Sequence, residues 1–335
     1  MTYGSARPPV VGAPAPVSRG LWGEIRANRR RSWLLLAALT ALLAVAGAAL
    51  GALLFEDAWG ALPGVVLALL LAGIWFPVAW FAGPRMTLAT SRARRARGTQ
   101  EVGRERDRML INVVEEMAIA SGLPVPEVWI IEDSAPNAFA TGRDPRHAMV
   151  AVTTGLYEKL PRDELQGVIA HELSHIRNED VRYTTLVVVT VGAIALLADF
   201  AIRHMRWGGG PRRSRNREAG GLIVLIAILI AILAPLSARL LQAAISRKRE
   251  TLADLSAAEM TRYPEALARA LEKIAADPEP LEAANRATAP LYVVNPLTKL
   301  AGGLAGLFST HPPTEERVRL LRGIVLAAPG GPMSA

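Results

Sequence analysis

GVIAHELSHIRNED, residues 167–180, is the stretch around which the rest of this 335-residue chain has to be arranged. His171 and His175 stand at i and i+4. On a helix that spacing puts both imidazoles on one face, where they can serve one metal ion. Glu172 lies beside them, placed to take a proton from an attacking water. The chain holds five histidines, so chance pairing at this spacing is a poor account of the pattern. The donor types suit zinc, one ion per chain.

Such an ion needs a third protein ligand and one open position. The chain has no cysteine, which excludes disulfides and cysteine-type structural zinc. Asp180 lies nine residues beyond His171, about 180° around an unbroken helix, and would face away unless the helix breaks early. Glu250, in SRKRETLADLSAAEMTRYPEAL (246–267), is the better candidate. It shares a helix face with Asp254 at i+4. Glu250 can ligate while Asp254 orients a histidine through its second ring nitrogen.

Two uncharged apolar runs precede this site, at 32–55 and 58–84. Each is long enough to cross a hydrocarbon core of about 30 Å. Trp33, Trp59, Trp75 and Trp80 fall near their ends, as interfacial anchors do. Only Glu56 and Asp57 separate the runs, which predicts a transmembrane hairpin. VAGAA inside the first run imitates a signal-peptide cleavage site, but the apolar region is too long and a second run follows at once. Arg26, Arg29, Arg30 and Arg31 precede the hairpin, and Arg85, Arg92, Arg94, Arg95 and Arg97 follow it. The positive-inside rule then places both flanks in the cytoplasm. Membrane-flanking arginine explains most of the net charge of +8, with the Arg clusters near anionic headgroups. No aromatic–basic interleaving points to nucleic acid.

A second apolar pair, 183–198 and 219–238, lies between His175 and Glu250. The link at 203–217 carries Arg203, Arg206, Arg212, Arg213, Arg215 and Arg217. If both runs cross, this basic link lies outside, against the charge rule. If they dip in and return, it stays in the cytoplasm. We read both as true spans, because charge biases topology and the first helices often dominate it.

The predicted organisation follows. Residues 1–20 are a disordered Pro/Ala-rich arm, 21–84 the first hairpin, 85–182 the first part of a soluble domain, 183–245 the second hairpin, 246–326 the second part, and 327–335 a flexible tail. Helices are expected at 105–121, from Arg162, from about Glu250, at 263–275 and at 314–325. VPEVWII (125–131) and HAMVAVTTG (147–155) read as strands. The fold class is a polytopic α-helical membrane protein with four transmembrane or membrane-embedded helices and a cytoplasmic α+β zincin-type domain containing a small sheet.

With these motifs in this order, the chain resembles the M48 zinc metallopeptidases, in particular the bacterial membrane-bound HtpX-like proteases. HELSHIRNED is similar to that family's metal helix, SRKRETLADLSAAE to the segment with the third ligand, PNAFATG (136–142) to a segment before the metal helix, and HPPTEERV (311–318) to a late His-Pro-Pro segment. The resemblance implies that Asn137 and Ala138 hold substrate backbone along an edge strand. It implies that His311 donates to the oxyanion, and that Arg317 serves the oxyanion or pairs with Asp254. Arg247 and Arg249 read as partners of headgroups or acidic side chains.

The expected activity is zinc-dependent endopeptidase cleavage of misfolded or damaged membrane proteins at the cytoplasmic face of the bacterial inner membrane. His171, His175 and Glu250 would be the ligands and Glu172 the catalyst. Two alternatives stand beside it. One is a lipoprotein or prenyl-protein processing peptidase. The other is a non-catalytic membrane scaffold stabilised by zinc, which would have no use for Glu172.

Overall fold

The computed structural model describes residues 58–96, 105–189, 247–284, 288, 291–294 and 312–324, with scattered positions between 26 and 52. The arm at 1–20, the link at 203–217, the span at 219–238, the tail at 327–335 and His311 lie outside the described residues.

The first hairpin is built on glycine. The described positions between 26 and 52 are helical. A 3-10 turn at Ala58–Gly60 leads into helix α1, Ala61–Thr90. A β-carbon at Gly64 would collide with the carbonyl of Gly47, and one at Gly51 with the carbonyl of Gly60. The two backbones therefore touch, as small residues four apart allow between apolar helices. Leu62, Leu67, Leu70, Leu71 and Ile74 on α1 are exposed. Among the described residues, α1 is the one helix long and apolar enough to cross a membrane. It runs six residues beyond the apolar boundary at 84. The hydroxyls of Thr87 and Thr90 donate to the carbonyls of Gly83 and Met86, so the polar last turn satisfies itself internally.

The remaining elements form a mixed sheet under helices. In order they are β1 (Arg94–Arg95), α2 (Glu105–Ser121), β2 (Glu127–Ile131), β3 (Ala138–Gly142), β4 (Ala148–Thr153), α3 (Thr154–Lys159) and α4 (Arg162–Arg177). A described helical stretch at 180–189 is labelled α5. α6 (Arg247–Thr261), α7 (Pro264–Ala276) and α8 (Thr314–Arg322) follow. The sheet order is β1-β2-β4-β3. β2 and β4 are parallel, and β1 and β3 are antiparallel to their neighbours, so β3 is an edge strand.

Both sheet faces are covered, which is why β4 is apolar throughout its AMVAVT run. Val128, Ile130, Val150 and Val152 face a core with Leu110, Val113 and Val114 of α2, Val168 and Ile169 of α4, and Leu267 and Leu271 of α7. Ile131, Phe139, Met149 and Ala151 face a second cluster with Leu88 of α1, Val188 of α5 and Tyr292. The second cluster seats the apolar helix α1 directly on the sheet. α4 crosses α7 so closely that a β-carbon at Gly167 would lie 2.9 Å from the Leu267 nitrogen. Buried Glu164 of α4 pins the same crossing by pairing with Arg269 and Lys273 of α7. α4, the bearer of HELSH, is thus clamped between the sheet and α6–α7.

Candidate metal centre

α4 presents His171 and His175 to α6, which brings up Glu250 near its start. The two Nε2 atoms are 3.3 Å apart. Glu250 Oε2 lies 3.6 Å from His171 Nε2, and Oε1 lies 3.6 Å from His175 Nε2. Among the described residues these three form the group able to hold a metal, with all donor atoms within 4.8 Å of one another. A tetrahedral ion bonded at about 2.0–2.1 Å separates its ligands by roughly 3.3–3.4 Å, so the spacing fits zinc.

Each histidine is held from behind. Asp254, one turn beyond Glu250, places Oδ1 2.9 Å from His171 Nδ1. Asp180 places Oδ2 3.1 Å from His175 Nδ1. Both Nε2 atoms are thereby aimed at the common point. Arg317 of α8 grips Asp254 with Nε at 2.8 Å and Nη2 at 2.7 Å, and its Nη1 donates to the Val293 carbonyl at 3.1 Å. Of the two roles expected for Arg317, the structure shows the pairing with Asp254.

The electrostatics suit a cation. Burial disfavours a protonated His171, and the Arg317 charge opposes it too. Hydrogen bonds to Asp254 and Glu250, with the charge of Asp254, outweigh both and lift it to about 9. Burial also works against an ionised Asp254, yet the charge and hydrogen bonds of Arg317 hold it down at about 2. His175 is raised as well: burial opposes, but Glu250 and Asp180 prevail. Asp254 therefore stays ionised, and a positive charge is favoured at the imidazoles.

Glu172 is buried beside the ligands and is not one of them. Burial raises its pKa above the ordinary carboxylate range, while the histidines and a hydrogen bond from the Ala140 main chain pull against that. A carboxylate moved up toward neutrality is suited to taking and giving back a proton.

Ala140 belongs to edge strand β3. Asn137 faces β4, since its carbonyl accepts from Thr153 N at 3.0 Å. By alternation Ala138, Ala140 and Gly142 direct their main-chain groups to the open edge. That edge is bounded at both ends. The Ala138 carbonyl accepts from Val293 N at 3.0 Å. Thr185 Oγ1 lies 3.4 Å from Gly142 N. The side-chain amide of Asn137 is also engaged: Nδ2 donates to the Val294 carbonyl at 2.8 Å, and Oδ1 lies 3.1 Å from Ala138 N. Asn137 and Ala138 thus sit at the edge beside the metal helix, with Val293 and Val294 already paired to them.

Sequence reasoning missed the roles of Asp180 and of residues 291–294. Asn178, a helix-stopping residue just past the metal helix, was the available signal for the first. LYVV (291–294) is an apolar run whose docking place no local signal gives.

Two imidazoles and a carboxylate that could hold a metal ion lie next to a second buried carboxylate, beside a strand edge. The chain belongs to peptidase family M48, whose sequence profile matches residues 104–325. It is similar to the Protease HtpX homolog of Streptococcus gordonii, 44% identical over 306 residues, covering 90% of this chain and 99% of that one. It is 42% identical to the Protease HtpX homolog of Dictyoglomus thermophilum over 298 residues, covering 89% and 93%. The solved structure of S. mikatae Ste24p aligns with 75% of this chain and 57% of that chain, at 17% identity and a TM-score of 0.43. The chain is accordingly a metalloprotease, a peptide hydrolase.

Proposed function

We propose that this chain is a zinc-dependent, membrane-bound endopeptidase that cuts misfolded or damaged membrane proteins at the cytoplasmic face of the bacterial inner membrane. The observation that carries this reading is the convergence of His171, His175 and Glu250 beside buried Glu172, on a domain seated against an apolar helix. His171, His175 and Glu250 would hold one zinc ion. When bound, zinc supplies Lewis acidity toward water and the scissile carbonyl.

The chain's own residues do the rest. Glu172 accepts a proton from the attacking water and delivers it to the departing amine nitrogen, so water adds across the C–N bond without an acyl-enzyme. Asp254 fixes the tautomer and direction of His171, and Arg317 acts through Asp254. The β3 edge that begins at Ala138 would receive an extended substrate at the Ala140 carbonyl, between the Val293 and Thr185 contacts. Asn137 frames the end of that edge through Val294. His311 is kept as a donor toward the oxyanion.

Four spans and a cytoplasmic site complete the proposal, in the domain order given by the sequence. Arg143 over Phe81 and Arg182 over Trp80, at 5.1 and 5.3 Å, support a catalytic domain resting at the interfacial belt of α1. The topology has a direct test, because the chain has no thiol of its own. Asp57→Cys and Gly210→Cys should both react with an impermeant maleimide in intact cells. Labelling at 57 without labelling at 210 would retire the four-span arrangement and leave a re-entrant second hairpin.

A further inference from the structure

The second histidine has its own support, built by a break in the chain. α4 ends at Arg177, Asn178 caps it, and Glu179 adopts φ 55°. That left-handed conformation is unfavourable for a residue with a β-carbon, so packing must hold it in place. The helix restarts at Asp180 and turns that carboxylate back to His175 Nδ1 at 3.1 Å. Arg249 stands behind it, its Nη1 3.9 Å from Asp180 Oδ1 and its guanidinium 5.4 Å over the ring of Tyr183. Asp180 and Arg249 are both buried. His175–Asp180–Arg249 follows the order of His171–Asp254–Arg317 on the other side of the site, with the guanidinium at 3.9 Å in place of a paired contact at 2.7 and 2.8 Å.

The helix opened by Asp180 is braced along its length. Arg182 donates to the Arg143 carbonyl at 2.8 Å. Thr185 Oγ1 lies 2.9 Å from Thr141 Oγ1 on the edge strand. Leu186 and Val189 pack on Ala79 of α1. Asp180 is the first residue of a fixed strut between the sheet and the membrane helix, so its carboxylate has little freedom to leave the imidazole.

We propose that Asp180 is the positioning residue for His175: its carboxylate accepts the Nδ1 hydrogen, selects the tautomer whose Nε2 lone pair faces the metal, and is itself kept in place by Arg249 and by α5. This rests on the reading of His175 as a zinc ligand. A carboxylate on the far nitrogen of a ligating imidazole orients the ring and raises its basicity. Its loss weakens metal binding without removing a ligand.

The test uses full-length protein carrying Glu172→Gln, which spares it self-digestion, and reads zinc affinity by competition with a chromophoric chelator. Asp180→Ala should bind zinc about 10–100-fold more weakly, the scale on which such outer carboxylates act. Asp180→Asn keeps an acceptor oxygen for Nδ1 and should recover most of that loss, a rescue that a purely structural role would not give. Zinc held by Asp180→Ala as tightly as by the parent overturns the proposal, and so does Asn performing no better than Ala. Should Asp180→Ala fail to fold, Asp180→Leu takes its place, keeping bulk without an acceptor oxygen: weaker zinc binding than in Asp180→Asn supports the role, and equal binding overturns it. A parent that binds no zinc at all refutes the ligand assignment beneath the proposal instead.

Discussion

Glu172→Gln is expected to fold, insert and hold its zinc, while kcat for peptide cleavage falls by about 100-fold or more, the scale of lost general-base catalysis. The amide keeps the size of the carboxylate and can still accept the hydrogen bond from Ala140, but it cannot take a proton. Glu172 lies outside the ligand group, so metal content should not change. The same variant should accumulate as a more intact chain, because an active protease at high concentration attacks its own exposed segments. Measurement of kcat and bound zinc on one preparation separates an enzyme from a zinc-stabilised scaffold. A scaffold would show no difference between the two proteins.

Glu250→Ala is expected to lose nearly all tightly bound zinc and all cleavage. It removes one of three proposed ligands and leaves two imidazoles facing each other at 3.3 Å. Asp180→Ala should keep zinc at high concentration, because Asp180 approaches Nδ1 of His175 and not the point where the Nε2 atoms meet. Metal analysis of the two variants, dialysed against the same zinc buffer, checks the assignment. Stoichiometric zinc in Glu250→Ala together with its loss in Asp180→Ala would reverse it.

The metal helix was legible because i,i+4 spacing converts directly into geometry. The approach of Glu250 to the two histidines was legible through Asp254, since one helix face delivers both carboxylates together. β2 and β4 were legible from their β-branched runs, and α7 from its apolar period. Asp180 was harder to place. The unbroken-helix rule sends it away from the metal, and the break depends on a left-handed Glu179 where glycine would have been the usual signal. The partners of Asn137 were also hidden. Val294 lies 157 positions further on, and nothing local in LYVV says which strand edge it meets. The reach of α1 past Pro84 to Thr90 depends on threonine hydroxyls that bond back into the helix. The threonine bonds are local but lie in a polar turn; the other two features are set by tertiary packing, and a hydrophobic period carries no information about which tertiary contact forms.

If zinc held by His171, His175 and Glu250 makes this chain a peptidase, cleavage must follow the zinc. Full-length protein in a lipid bilayer, given an unfolded membrane-anchored substrate, tests it most directly. Zinc per chain and cleavage rate are read together before chelation, after chelation and after zinc is restored. The expected result is one zinc per chain, loss of cleavage in step with loss of zinc, and recovery of both on re-addition. Cleavage that continues at the original rate after the zinc has been removed would contradict it.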